Sequence, residues 1–342
     1  MHLESDRPRN AQAKAGLPRP WLLADIGGTN ARFGWLTEGS ITPQHVQTLP
    51  TAGHAGPAVA ARQYLDGLRQ HLGAGYEPPR AAAWAVATAV AGDEVRFTNS
   101  EWSFSRAAAR AELALDELLV LNDFEALALS LPRLQPHQLR FFGGPQQSLA
   151  GAALAVIGPG TGLGVAGLLP TAQGWVAIPG EGGHATLAAA DEFDAAVLAA
   201  VRREYAHVSA ERLLSGIGLP VLHAAVALVL GQPRPALSAG EVVEGALQAG
   251  DPVCARTVDS FCALLGGFAG NVALTLGARG GVYIGGGVVP RLGERFFQSA
   301  FRQRFEAKGR FEGYLQAVPT ALITDTLAAL TGSAFALELH AC

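Results

Sequence analysis

Trp21-Leu22-Leu23-Ala24-Asp25-Ile26-Gly27-Gly28-Thr29-Asn30-Ala31-Arg32-Phe33 is an apolar run that ends at an acidic residue, turns on two glycines and resumes as a second apolar run reaching Leu36. Short apolar runs bounded by glycines read as strand, turn, strand. The pattern returns where Ala152 to Ile157 enters Gly158-Pro159-Gly160-Thr161-Gly162 and continues as Leu163 to Leu169. Both copies set an isoleucine, turn glycines and a threonine at nearly the same offsets, Ile26 to Thr29 and Ile157 to Thr161. Such self-similarity implies two related domains. A chain of 342 residues also exceeds what one hydrophobic core usually supports. The expectation is an α/β protein of two domains with a ligand cleft between them.

Between the copies, Ala81 to Ala91 and Leu118 to Leu121 read as buried strands, and Phe104 to Leu115 as a helix capped by Ser103 or Ser105. Leu131 to Ser148 carries three prolines and little periodicity, which marks a domain boundary. Val282 to Ile284 is a further strand, ending at Gly285-Gly286-Gly287. Arg291 to Phe305 then reads as helical, and Ala321 to Leu339 as strand then helix. Ser260 to Ala278 carries no charge and nearly reaches bilayer-spanning length. Its Asn271, Thr275 and four glycines favour a buried core helix, and no membrane association is expected.

The net charge of -4, without a Lys/Arg stripe, argues against a nucleic-acid partner. Three cysteines without Cys-x-x-Cys spacing argue against a disulfide framework and a thiolate zinc site, and fit a cytoplasmic protein. Residues 1–20 are polar and proline-containing, without an apolar signal-peptide core, and read as a mobile, disordered extension.

Gly27, Gly28 and Thr29 can bring backbone amides and a hydroxyl to anionic oxygens, or simply form a hairpin turn. The second loop with Thr161 favours a pair of phosphate grips. Gly162-x-Gly164-x-x-Gly167, with Glu181 downstream, also fits a dinucleotide fingerprint. That fingerprint needs a helix after the glycines, and Pro170, Gly174 and Pro179 argue against one. Asn122-Asp123 follows a strand and precedes a helical pattern. Asp123 is therefore either a base for an attacking hydroxyl, with Asn122 orienting the substrate, or a helix N-cap, and both can hold together. Glu181 and His184 share a glycine-rich segment that is either a plain surface loop or a site better suited to sugar hydroxyls than to a metal, and Glu211 opens a helix where the helix dipole alone explains it.

The chain resembles the bacterial glucokinase family of sugar kinases. The resemblance covers nearly everything from Trp21 onward. It rests on Ala24 to Phe33, Thr-Asn-Ser-Glu-Trp-Ser-Phe-Ser from Thr98, Asn-Asp-Phe-Glu-Ala from Asn122 and Gly-Pro-Gly-Thr-Gly-Leu-Gly-Val-Ala from Gly158. Pro-Gly-Glu-Gly-Gly-His from Pro179, Ser-Ala-Glu-Arg-Leu-Leu-Ser-Gly from Ser209 and Gly-Gly-Val-Tyr-Ile-Gly-Gly-Gly-Val-Val-Pro-Arg from Gly280 continue it. It implies a two-domain actin-like (ribonuclease-H-like) fold and ATP-dependent phosphorylation of glucose. Asp123 would be the general base, and Asn122, Glu181, His184 and Glu211 would hold sugar hydroxyls. Ala24, Asp25, Ile26, Gly27, Gly28, Thr29, Thr161 and Gly162 would serve the ATP phosphates, and Gly285, Gly286 and Gly287 the adenosine. No protein residue would ligate the magnesium ion directly, Asp25 facing it through water. A homodimer is implied. The domains expected are 21–133 with 322–342, and 134–321.

Overall fold

The computed structural model describes residues 17–97, 102–232 and 236–341. The chain forms two compact units, one running up to Asp123 and resuming at Ser333, the other Phe124–Gly332. From the sequence the divisions were expected at 133/134 and 321/322.

In the first unit, β1 (Trp21–Ile26), β2 (Asn30–Leu36) and β3 (Gln44–Pro50) form an antiparallel meander, followed by α1 (Pro57–Leu72) and β4 (Ala81–Val86). A small hairpin of β5 (Glu94–Arg96) and β6 (Ser103–Ser105) leads to α2 (Arg106–Glu112) and β7 (Glu117–Asn122). The sheet order is β3-β2-β1-β4-β7, with β1, β4 and β7 parallel. Buried Leu22, Phe33, Trp35, Tyr64 and Trp84 fill its core. The helix expected from Phe104 begins two residues later, because Ser105 is extended and its hydroxyl accepts from the Ala108 N–H at 3.0 Å. Residues 1–16 lie outside the described residues, as do 98–101, where the Thr98 motif begins. Residues 17–20 are held rather than mobile. The Arg19 guanidinium donates to the Thr37 and Ser40 carbonyls and pairs with Glu338 at 3.1 Å.

The second unit opens with α3, whose full span is Asp123–Ser130, and continues through β8 (Leu139–Gly143), β9 (Leu154–Pro159), β10 (Leu163–Thr171) and β11 (Gly174–Gly180). Then come α4 (Glu192–Val201), α5 (Ala210–Leu213), α6 (Leu219–Val229), α7 (Ala239–Leu247), α8 (Pro252–Leu276) and β12 (Gly281–Ile284). The chain ends with α9 (Glu294–Phe297), α10 (Phe301–Glu306), α11 (Glu312–Gln316), β13 (Thr320–Ile323) and α12 (Ala328–Ala341). The sheet order is β11-β10-β9-β12-β13-β8. Its first five strands repeat the first unit's plan, an antiparallel meander followed by two parallel strands. The duplication read from two hairpins therefore extends over whole sheets.

Three segments differ from expectation. The proposed boundary Leu131 to Ser148 contains β8, which pairs with β13 at the sheet edge. β10 runs through Pro170, whose missing N–H is tolerated because β9 pairs only as far as Leu168. Arg291 to Phe305 is not one helix: Gly293 takes a left-handed φ of 53° and separates a 3₁₀ turn from α9, and α10 begins only at Phe301.

α8 is long and apolar enough to cross a membrane, yet 72% of its apolar window is buried inside the protein. Two of its glycines, Gly266 and Gly270, allow close packing against α10. A Cβ on Gly266 would overlap the Phe301 carbonyl of α10, whereas one on Gly267 would meet nothing within 4 Å. Gly266→Ala is expected to destabilise the fold by about 1–3 kcal/mol through overpacking. Gly267→Ala is expected to be neutral or stabilising by up to about 1 kcal/mol, because alanine is the better helix former. Denaturant midpoints of the two variants should therefore move apart, and equal shifts would contradict the packing role.

Candidate functional site

In the first unit the parallel strands bring two chemical features to one edge. Ile26, Val86 and Asn122 are register partners across β1, β4 and β7. The Gly27–Thr29 turn and Asp123 thus leave the same end of the sheet, two strand spacings or about 10 Å apart. Carboxyl ends of parallel strands are where α/β sheets hold ligands. Asp123 is the first residue of α3, so it occupies both the strand end and the helix start. The Asn122 side-chain amide donates to the Thr88 carbonyl at 3.1 Å, which fixes its orientation.

The Gly27–Thr29 turn is tight, with the Gly27 N–H bonded to the Asn30 carbonyl at 2.9 Å. Thr51, after β3, pins it twice. Its N–H donates to the Thr29 carbonyl at 2.9 Å and its hydroxyl to the Gly28 carbonyl at 2.8 Å. Nothing in the sequence marked Thr51. Ala24 is fully buried in β1, whereas Asp25 is partly exposed and sits opposite Arg32, 3.9 Å away. Desolvation raises the Asp25 carboxyl above its ordinary value of 3.8, and Arg32 opposes the rise. A partly desolvated carboxylate oxygen beside the Gly27–Thr29 turn could hold a hydrated magnesium ion, whose positive charge would relieve the desolvation.

The sign of the stability effect follows from the raised value. The neutral Asp25 carboxyl favours the folded state below pH 3.8, and that contribution is lost as pH rises through the folded value. Asp25→Asn is therefore expected to raise the melting temperature at neutral pH, by a margin that shrinks on acidification. A melting temperature that falls at neutral pH would contradict this account.

In the second unit Glu181, His184 and Glu211 come together. Glycines let the 180–184 segment lie against β10: a Cβ on Gly183 would overlap the Leu163 carbonyl. An isolated bridge between Thr186 and Ser209, with the Ala210 N–H bonded to the Ala185 carbonyl at 2.9 Å, carries Glu211 alongside. His184 Nδ1 is 3.6 Å from Glu181 Oε2, and His184 Nε2 is 3.5 Å from Glu211 Oε1. The other oxygen of Glu211 accepts the Leu163 N–H at 2.8 Å. Glu211 is thus more than a favourable charge at a helix start. It ties the acid and imidazole cluster to the Thr161-Gly162 loop, and Gly162 has no room for a Cβ because the Glu211 carboxylate fills it.

That loop leaves the carboxyl end of β9, beside Gly285–Gly287 at the end of β12. The Gly285 N–H bonds the Ile157 carbonyl at 2.8 Å, and the Val288 N–H bonds the Pro159 carbonyl at 3.0 Å. Gly286 takes a left-handed φ of 77° against the Pro159 carbonyl, a conformation that favours glycine. A strand, not a helix, follows Gly162, which removes the dinucleotide reading. Next to this loop lies a cavity of about 420 Å³, lined among others by Gly216, Leu219, Val243, Glu244, Val288 and Arg291. Gly216 and Val288 connect the cavity to the loop, since the Gly216 N–H donates to the Gly160 carbonyl at 2.7 Å. These residues lie on separate elements and had no common signature in the sequence.

A family model described as Glucokinase matches residues 22–340. A glucokinase of Aromatoleum aromaticum is 49% identical over 93% of this chain and 95% of its own length. One from Chromobacterium violaceum is 47% identical over 95% of this chain and 92% of its own. Among solved structures, a glucokinase from an Antarctic psychrotroph superposes with a TM-score of 0.85 at 37% identity, covering 93% of this chain and 98% of that one.

Proposed function

The chain belongs to the glucokinase family, and from that premise we propose that it transfers the γ-phosphoryl group of ATP to the 6-hydroxyl of D-glucose, the first step of glycolysis. The fold is the actin-like sugar-kinase fold, with its sheet plan present twice. The observation that carries the site assignment is the Glu211 carboxylate. It faces His184 with one oxygen and holds the phosphate-loop candidate at Leu163 with the other.

Asn122, Glu181, His184 and Glu211 bind sugar hydroxyls, and Asp123 accepts the proton of the 6-hydroxyl as its oxygen attacks the γ-phosphorus. The bond from that phosphorus to the bridging oxygen breaks, and ADP leaves. Backbone amides of Gly27–Thr29 and Thr161-Gly162 hold the phosphates, so most of the acceleration is positioning and charge stabilisation. The adenosine occupies the cavity beside Gly285–Gly287, whose volume and mixed lining suit a purine nucleoside. Magnesium, when bound, neutralises charge on the phosphates, and Asp25 would face it through water. Cys254 and Cys262 are buried and not joined in a disulfide, which accords with a cytoplasmic setting, and the resemblance accords with a homodimer.

A coupled assay of ADP formation from Mg-ATP with glucose, fructose, mannose or no sugar tests the reading. Turnover that depends on glucose is expected. Turnover independent of sugar, or none with any sugar, would overturn it.

A further inference from the structure

The glycines around the second phosphate loop do more than admit an anion. Gly158 and Gly164 are register partners on β9 and β10, and the ring of Phe124 lies across the pair. A Cβ on Gly164 would overlap the ring at Cγ, Cδ2 and Cε2, and a Cβ on Gly158 would come within 2.6 Å of Cε1. Leu127, one helical turn along α3, takes the corresponding place over Gly285, where a Cβ would lie 2.7 Å from Cδ2. A side chain on any of these glycines would displace α3. On α12, Gly332 likewise leaves no room for a Cβ against the Ala126 carbonyl. The start of α3 is therefore seated on three backbone positions that carry the loops 158–162 and 285–287. Phe124 is joined by one peptide bond to Asp123.

We propose that Phe124 is a positioning residue for phosphoryl transfer: its flat ring, seated on Gly158 and Gly164, holds the backbone of Asp123 in register with the phosphate loop. The inference rests on the reading of Asp123 as general base. A planar ring one atom thick can lie flush on a glycine pair. A branched side chain such as leucine stands off the backbone and lets the helix start shift. Misplacement of a reacting group by about 1 Å can cost 10²-fold in rate.

The test compares Phe124→Leu, Phe124→Ala, Phe124→Ala with Gly164→Ala, and Asp123→Ala, reading kcat, both KM values and the denaturant midpoint. Phe124→Leu and Phe124→Ala are expected to lower kcat by about 10- to 10²-fold with much smaller changes in either KM. In the double variant the new methyl refills space beside β10. The midpoint should recover relative to Phe124→Ala while kcat stays low, because the methyl cannot orient α3. If kcat instead recovers together with the midpoint, Phe124 is only packing and the inference fails. It fails too if folded Phe124→Leu turns over like the parent. Should Phe124→Ala not fold, Phe124→Leu decides by the same kcat criterion. Normal turnover in Asp123→Ala would overturn the general-base reading and this inference together. Loss of turnover there, with a normal rate in Phe124→Leu, overturns this inference alone.

Discussion

Asp123→Ala is expected to lower kcat by about 10²-fold or more, the usual contribution of a positioned general base. Asp123 stands at the end of β7, two strands from the Gly27–Thr29 turn and outside both phosphate-loop candidates. ATP affinity should therefore change little, and the loss should appear in kcat rather than in KM for ATP. Steady-state kinetics with ATP binding by calorimetry separates the two. A variant that keeps near-parental turnover would remove Asp123 from the chemistry.

Glu211→Ala is expected to be more damaging to kcat/KM for glucose, by about 10³-fold, because one carboxylate serves two groups. Hydrogen bonds to charged partners are worth about 1.5–3 kcal/mol each, and this residue is assigned two, one to a sugar hydroxyl and one to the Leu163 N–H. Affinity for ATP should fall as well, since the loop at Thr161-Gly162 loses its tether and the Leu163 N–H its acceptor. Glu211→Gln keeps a carbonyl for that N–H, so ATP affinity should recover more than glucose affinity does. Glu181→Ala should weaken glucose alone, as Glu181 is paired with His184 and exposed. Unchanged ATP binding in Glu211→Ala would break the proposed link between the sugar cluster and the phosphate loop.

The residue sequence by itself determined both glycine hairpins, the strand ends that carry Asn122-Asp123 and Gly285–Gly287, and α8 as a buried helix. Each of these is written in a contiguous stretch: an apolar run, its period and the residue that ends it. The duplication was legible for the same reason, since two local patterns could be laid over each other. Tertiary structure alone decided what those patterns do. The bond from Glu211 to Leu163 spans 48 residues, and the pairing of β8 with β13 joins segments still farther apart. The cavity beside Val288 is lined from several elements. Gly158 reads as a phosphate-loop glycine and Gly164 as part of a dinucleotide fingerprint, but their missing side chains leave room for Phe124. Propensity and periodicity act over one or two turns of chain, whereas a hydrogen-bond partner or an excluded Cβ depends on what packing brings from elsewhere.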